Sequence, residues 1–344
     1  MLAHRKPISL GPDTRVYCYR VGTLDSCLGV LNGGETIFNV NDAQLNADDG
    51  KAIVKDIGPV EVLLNQFSVA VYNGDADHGK FLTRAAKNKM ENLSANHANL
   101  GARVTIPFAS LMYFSAIDNR YMNEFTNKPR DVLDFCAARG QTTAVLYPGD
   151  EYTVNQPYDS SAAIARYDEL YSAFGDAPYD VPPRITISEL AETFHAFVKE
   201  LRRHYPRILL RYIRPLRVEI PDLGKTVEIA IARDSFEPVS VQQPDAVIYS
   251  QPLQYCFAKP WGLQTLTISA RFVVLKNART WRIHKALFAL NGAEVYLRPR
   301  YLFKRRNWNY LRDRVSGQRR YSNRPRRMAA DVRQLAAQYD HSLS

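Results

Sequence analysis

The sequence has little cysteine and lacks the short motifs that mark self-contained enzymes. Its four cysteines are scattered over 344 residues and none forms a CxxC pair, which argues against a disulfide framework or a zinc ribbon. GxSxG, GxxxxGK[ST] and GxGxxG are absent, which disfavours a serine hydrolase, a P-loop NTPase and a Rossmann dehydrogenase. The seven histidines form no HxH or HxxH pair, so a local zinc site is not expected.

Long apolar runs are also missing. No stretch approaches the roughly 20 apolar residues of a membrane-spanning helix, and the N-terminal residues lack the hydrophobic segment of a secretory signal. We therefore expect a cytoplasmic protein with no transmembrane segment. The contents of 46% hydrophobic and 23% charged residues are ordinary for a globular protein, and the length suggests about two domains.

The net charge of +10 is concentrated at the C-terminus. Residues 298–344 carry 13 basic and 3 acidic side chains, whereas residues 1–157 carry 15 and 17. A near-neutral body argues against DNA binding, and the basic charge forms an appendage.

Aromatic residues alternate with the arginines of this tail. Such a pattern suits phosphate groups, with the rings stacking on bases or entering lipid headgroups. RNA, an anionic membrane and an acidic protein are alternative partners, and a solvated tail without a partner is the simplest interpretation. With a lipid target, the protein would be peripheral to the inner membrane surface. The candidate contacts are Arg305, Arg306, Trp308, Arg319, Arg320, Arg326 and Arg327.

Residues 1–151 predict an α/β domain. Two strand patterns meet at Asn32-Gly33-Gly34, a turn signal because Asn and Gly tolerate positive φ. Helical spacing of apolar residues predicts a helix over His78–Asn99, and Thr143–Tyr147 is predicted to be a strand. Strands interleaved with helices are typical of a layered α/β unit.

A composition break at 152–184 predicts a linker with short helical pieces. A smaller α+β domain follows at 185–297, before the tail at 298–344. It begins with a helix over Ile185–Tyr205, for which Thr186 and Glu189 form a capping box. The strands predicted after it, in a mainly antiparallel sheet, include Ile208–Ile213 and Thr265–Val274.

Two places carry residues suited to binding chemistry. Asp42 follows a predicted strand at the rim of the α/β layer, where carboxylates often bind metals or act as bases; the alternative is an N-cap of the next element. The segment Pro107–Asn127 has no clean periodicity, and its Asn119, Arg120 and Tyr121 suit a phosphate or carboxylate. The alternative there is a packed connection.

Four stretches in order, together covering about residues 14–151, carry a resemblance to a known family. They are RVYCYRVGTLDSCLGVLNGGETIFNVNDAQLN, VEVLLNQFSVAVYNGD, RVTIPFASLMYFSAIDNRYMNE and TAVLYPGD. This series resembles the second half of a metallo-β-lactamase-fold protein. The nearest branch contains CMP-N-acetylneuraminate hydroxylase-like and N-acylphosphatidylethanolamine phospholipase-like members. Pro260–Phe272 weakly resembles the appended C-terminal domain of bacterial proteins of this type.

The resemblance implies an αβ/βα sandwich of two similar halves with a two-metal site between them. In such proteins the first half supplies HxHxDH, and the second supplies an Asp after a strand and a final His. Asp42 matches that Asp, whereas the position expected for the His, in F-S-H-x-x-N, is Ala116, and HxHxDH is absent. A complete relative would hold zinc or iron.

A single carboxylate cannot hold a hydrolytic metal, so we expect no metal bound to this chain alone. We expect an αββα-type half-sandwich from a metal-dependent hydrolase-like protein, catalytically incomplete as given. One sheet face would then lack its covering layer. A separately encoded first half or a second copy of the chain would supply that layer, and truncation at the start is a further explanation. The alternative is a non-catalytic binding or scaffold protein whose basic tail holds an anionic surface.

Overall fold

The computed structural model describes residues 3–21, 25–69, 72, 78–109, 111–241, 243–275, 278–304 and 307–308. It contains two sheets with helices packed on them, so the predicted α/β class is confirmed. In the part of the chain described here, no helix is both long and apolar enough to cross a membrane.

The first region is built on a six-stranded sheet with strand order β1-β2-β3-β4-β5-β6. The pairs from β1 to β4 are antiparallel, and β4-β5 and β5-β6 are parallel. Its elements are β1 (Ile8–Ser9), β2 (Thr14–Val21), β3 (Asp25–Asn32), β4 (Glu35–Asn39), α1 (Ala47–Ile57), β5 (Val62–Gln66), α2 (His78–Asn99), β6 (Val104–Phe108), a 3-10 helix (Arg120–Phe125), α3 (Pro129–Ala137) and α4 (Ser161–Asp176).

The second region carries a five-stranded sheet with strand order β11-β10-β7-β8-β9. Only the β10-β7 pair is parallel among these strands, which agrees with the predicted mainly antiparallel sheet. Its elements are α5 (Ile187–His204), α6 (Arg207–Arg211), β7 (Leu216–Ile220), a 3-10 helix (Pro221–Leu223), β8 (Lys225–Ala230), β9 (Ser235–Pro238), β10 (Ala246–Val247), α7 (Ser250–Ala258), α8 (Gly262–Ile268), β11 (Val273–Val274), α9 (Ala278–Gly292) and α10 (Pro299–Leu302).

The predicted turn at Asn32-Gly33-Gly34 and the predicted capping box of α5 are both confirmed. Gly33 and Gly34 have φ of 56° and 91°, and Asn32 pairs with Glu35 across the hairpin. Thr186 accepts a hydrogen bond from the Glu189 amide while the Glu189 carboxylate accepts one from the Thr186 amide, so the capping box of α5 is present.

Three predicted strands are wrong. Ile208–Ile213 contains helix α6, and most of Thr265–Val274 belongs to α8 and the turn after it, with only β11 paired as a strand. Thr143–Tyr147 forms a single bridge between Thr143 and Thr105. Short apolar runs suit either a strand or a buried helix, and packing decides between them.

Side chains from both regions share the largest apolar core. Val69, Tyr72 and Leu82 belong to the same buried cluster as Leu190 and Phe194 of α5. Residues 152–184, predicted to be a linker, contain the 16-residue helix α4. Ile164 and Tyr167 of that helix are buried with Val145 in a smaller cluster.

Candidate functional site

Asp42 lies three residues beyond β4 and is exposed. The chain turns before it at Asn41, whose φ is 56°. The cap of the next helix is Asn46, which accepts a hydrogen bond from the Asp49 amide at 2.9 Å. Asp42 is therefore not the N-cap, and its interpretation as a cap is wrong.

The described residues around Asp42 do not form a two-metal centre. No three His, Cys, Asp or Glu side chains in the described ranges lie close enough together to hold a metal ion. Ala116 bridges to Asp180 through the backbone, and its carbonyl accepts from the amides of Asn119 and Arg120 at 3.0 Å each. The position that matches the family's final His is thus a backbone junction without a ligand side chain.

Asn119 and Tyr121 bind the second region of the chain. The Asn119 amide group donates to the Ser269 carbonyl at 2.9 Å. The Tyr121 hydroxyl donates to the Ala270 carbonyl at 2.9 Å, and burial raises the pKa of Tyr121. These contacts match the packed connection that was the alternative to an anion site. Binding of an anion by these side chains stays a prediction.

Arg120, between them in sequence, is exposed and lies 4.9 Å from the centre of the Tyr179 ring. This is cation–π geometry. Beside it, the buried carboxylate of Asp118 accepts hydrogen bonds from Arg271 Nε at 2.9 Å. Arg271 Nη1 also donates to Gln251 Oε1 at 2.9 Å. The sequence offers no signal for this pair, which is separated by 153 residues.

The first sheet has two faces of different character. On one face Tyr19 and Phe38 pack with Ile53 and Ile57 of α1. On the other face a row of aliphatic side chains crosses the whole sheet, because directly paired residues share a face. The paired residues of that row are Ile8, Val16, Val30, Ile37, Val62 and Val104.

The described residues cover only part of this second face. Near β5 and β6, Val62 and Val104 pack with residues from 144 to 158, including Leu146 and Tyr152. Over β1 to β4 the face is partly open to solvent, and Ile8 and Ile37 remain 42% and 36% exposed. We call this part the open face; its residues are Ile8, Val16, Cys18, Leu28, Val30 and Ile37. Ile8, Leu28 and Ile37 are exposed, Cys18 and Val30 are half-buried, and Val16 is buried beneath its neighbours.

The second sheet also has a face directed to solvent, and that face is charged. Arg217 on β7 pairs with Glu228 on β8, and Arg217 Nε donates to the Glu228 carboxylate at 3.2 Å. Arg233 donates to the other Glu228 oxygen at 2.9 Å. Alternation of buried apolar and exposed charged residues is typical of a sheet with one solvated face.

A charged groove of about 520 Å³ lies where α5 meets the turn between β8 and β9. The Asp234 carboxylate contacts His195 Nδ1 at 2.8 Å and Arg202 Nη1 at 3.0 Å, and Lys199 also lines the groove. Asp234 has a φ of 60°. One imidazole and one guanidinium share this partly exposed carboxylate at the surface, and the contribution of such surface pairs to stability is small.

Of the basic-tail residues predicted to contact an anionic partner, the structure describes Trp308. Trp308 is exposed. The other predicted residues lie outside the described part of the chain: Arg305, Arg306, Arg319, Arg320, Arg326 and Arg327.

Comparisons of the sequence and of the structure with known proteins find a weak structural similarity. No protein-family model and no curated protein sequence matches the chain. Among solved structures, a mutant of the CmlA beta-hydroxylase aligns with 42% of this chain at 11% identity and a TM-score of 0.29. The chain spans about a third (32%) of that protein. A similarity at this level is too low to assign a fold.

Proposed function

We propose that this chain is the second half of a metallo-β-lactamase-type sandwich and that its open face is covered by another α/β layer. The layer is either a separately encoded first half or a second copy of this chain. In this assembly the chain acts as a binding subunit and holds no complete hydrolytic metal centre by itself.

The observation that carries the proposal is the aliphatic open face of the first sheet. Exposed apolar patches of this kind mark interaction sites in globular proteins. A face made for water would carry cross-strand polar or charged pairs, such as Arg217 and Glu228 on the second sheet. The same face of the first sheet has a polar pair at one end, Thr14 with Asn32, but its middle aligns Val16, Val30 and Ile37 in direct register.

The association state of a variant of the open face tests this proposal. We expect purified wild-type chain to elute as a dimer or with a stoichiometric companion in size-exclusion chromatography with light scattering. Ile37→Lys should abolish the association, because it places a charge in an apolar interface. Val181→Lys is the matched control, since Val181 is an exposed aliphatic residue away from the first sheet. An association state that Ile37→Lys leaves unchanged would contradict the proposal.

Metal analysis tests the statement about catalysis. The wild-type chain, purified without chelators, should retain no stoichiometric zinc or iron, because one exposed carboxylate supplies too few ligands. Tightly bound metal at one or two equivalents, lost in Asp42→Asn, would show that the chain holds a centre of its own.

A non-catalytic role at an anionic surface is the second candidate function, and it is compatible with the first. The observation that favours it lies at the C-terminal end of α5, where basic and exposed apolar side chains gather.

A further inference from the structure

We infer that the C-terminal end of α5, helix α6 and residues 297–304 and 307–308 form a surface that binds anionic phospholipid bilayers. We call these residues, 203–214, 297–304 and 307–308, the basic end. The inference rests on the second candidate function and does not depend on the open face or on the metal site.

Hydrogen bonds hold the two segments of the basic end together. The amides of Leu297 and Arg298 donate to the carbonyl of His204 at 3.1 and 3.2 Å. The Arg300 guanidinium donates to the Arg203 carbonyl at 2.9 Å. Helix α6 begins three residues after His204. Segments distant in sequence are therefore joined at one end of the second region.

The charge of the basic end has one sign. Residues 203–214 contain four arginines and no acidic residue, and residues 297–304 and 307–308 contain three basic residues and no acidic residue. The nearby Glu200 contacts Arg203 at 2.9 Å and His204 at 2.6 Å, so its charge is partly compensated. A surface of this charge is complementary to the anionic headgroups of a lipid leaflet.

Large apolar side chains are exposed among these charges. On α6, Leu210 is buried, while Ile208 and Leu209 face solvent and Tyr212, just past its end, is 76% exposed. In the other segment Phe303 is 91% exposed, and Trp308 is also exposed. Surfaces that lie on bilayers combine apolar and aromatic side chains with Lys and Arg in this way.

The aliphatic residues favour a bilayer over RNA. Single-stranded nucleic acids bind to basic grooves through aromatic stacking, and exposed isoleucine and leucine add nothing to such a site. In a bilayer, Ile208 and Leu209 would enter the boundary between headgroups and acyl chains while Arg207 and Arg211 remain with the phosphates. The tail after residue 308 continues the positive charge, so it adds electrostatic attraction.

Vesicle co-sedimentation of the full chain tests the inference. We expect binding to vesicles of phosphatidylcholine with phosphatidylglycerol, weakening with salt, and little binding to phosphatidylcholine alone. Arg207→Gln/Arg211→Gln should weaken binding about 30-fold, from the contribution of two arginines near an anionic surface. Ile208→Gln/Leu209→Gln should weaken it as well and make the remaining binding more sensitive to salt.

Matched substitutions elsewhere serve as controls. Lys51→Gln/Arg84→Gln removes two exposed charges from the first region, and Val181→Gln replaces an exposed aliphatic residue; both should bind as the wild type does. Circular dichroism checks that each variant is folded. Wild-type affinity in both α6 variants, equal binding to neutral vesicles, or binding to a single-stranded RNA oligonucleotide without vesicle binding would each overturn the inference.

Discussion

The two sheets of this protein differ in the side chains on the face that no helix of the described residues covers. On the second sheet that face presents Arg217 and Glu228 in register. On the first sheet it presents Val16, Val30 and Ile37 in register. The opposite faces of the two sheets are alike, because both are filled with buried apolar side chains that pack against helices.

We propose that the charged face is a surface for water and that the aliphatic face is covered by a partner. Charged cross-strand pairs keep their hydration and resist pairing with other proteins, whereas an aliphatic row gains free energy when it is covered. Strand residues alternate between faces, so one strand can present one face to the core and the other to water or to a partner. We therefore attribute the first sheet's open face to association and the second sheet's charged face to solvent.

We expect the largest difference in stability between substitutions on the two faces of one strand, β4. Phe38, fully buried, and Ile37 are neighbours on opposite faces of β4. Phe38→Ala should lower the free energy of unfolding by about 3–5 kcal/mol, because it leaves a cavity against α1. Ile37→Ala should lower the free energy of unfolding of the dissociated chain by less than about 1.5 kcal/mol, because that side chain is already partly exposed. Urea denaturation of both variants measures the difference, and equal losses would show that the open face is covered within the chain.

The next effect concerns the junction between the two regions. Asp118→Ala removes the carboxylate from a mostly buried pair and leaves the Arg271 guanidinium without its charge partner. We expect a loss of about 3 kcal/mol in the free energy of unfolding, typical of breaking a buried pair. Asp168→Ala breaks the exposed pair with Arg130 and should cost less than about 1 kcal/mol. Similar small losses in both variants would mean that Asp118 and Arg271 do not join the regions.

The smallest effect that we expect is on the pH dependence of the free energy of unfolding, to which a buried histidine of the second region contributes. Burial holds the pKa of His284 in the second region below its ordinary value, and its Nε2–H donates to the Arg214 carbonyl at 2.9 Å. Below the unfolded pKa of about 6.5 the unfolded chain binds a proton that the folded chain does not. The free energy of unfolding therefore decreases as the pH drops below about 6.5. Above that pH, His284 is neutral in both states and causes no loss of stability.

The pH slope can be assigned by substitution. Burial also lowers the pKa of His97 in the first region, but His284 is more deeply buried, at 2% exposed. Thermal melts of wild type, His284→Gln and His97→Gln between about pH 7.5 and 5 should show the greater loss of slope in His284→Gln. A wild-type slope in His284→Gln would show that another group carries the pH dependence.

The sequence predicted the elements whose signals are local. Helix α2 spans the predicted His78–Asn99, because its apolar spacing from Leu82 to Leu93 persists over about three turns. The hairpin at Gly33 and Gly34 follows from residues that accept positive φ, and the α5 capping box follows from Thr186 and Glu189. Helices α6 and α8 were missed because short, partly apolar segments fit both the helical and the strand period.

The candidate site was harder to predict for a related reason. Asp42 and Ala116 were identified through a resemblance, and nothing in their local sequence reveals that Asp42 is solvent-exposed or that Ala116 bridges to Asp180. Asn119 and Tyr121 suggested anion binding by residue type alone. Their partners lie about 150 residues away, and only the folded chain brings those carbonyls to them.

The class of fold, the helix and turn signals, and the concentration of positive charge near the C-terminus can be inferred from the amino-acid sequence, because each depends on neighbours a few residues apart. Three features required the folded chain: which sheet face lies open, how the basic end is assembled, and the contact between Asp118 and Arg271. These outcomes depend on strand register and on contacts between distant segments, and neither is encoded in any single stretch of the chain.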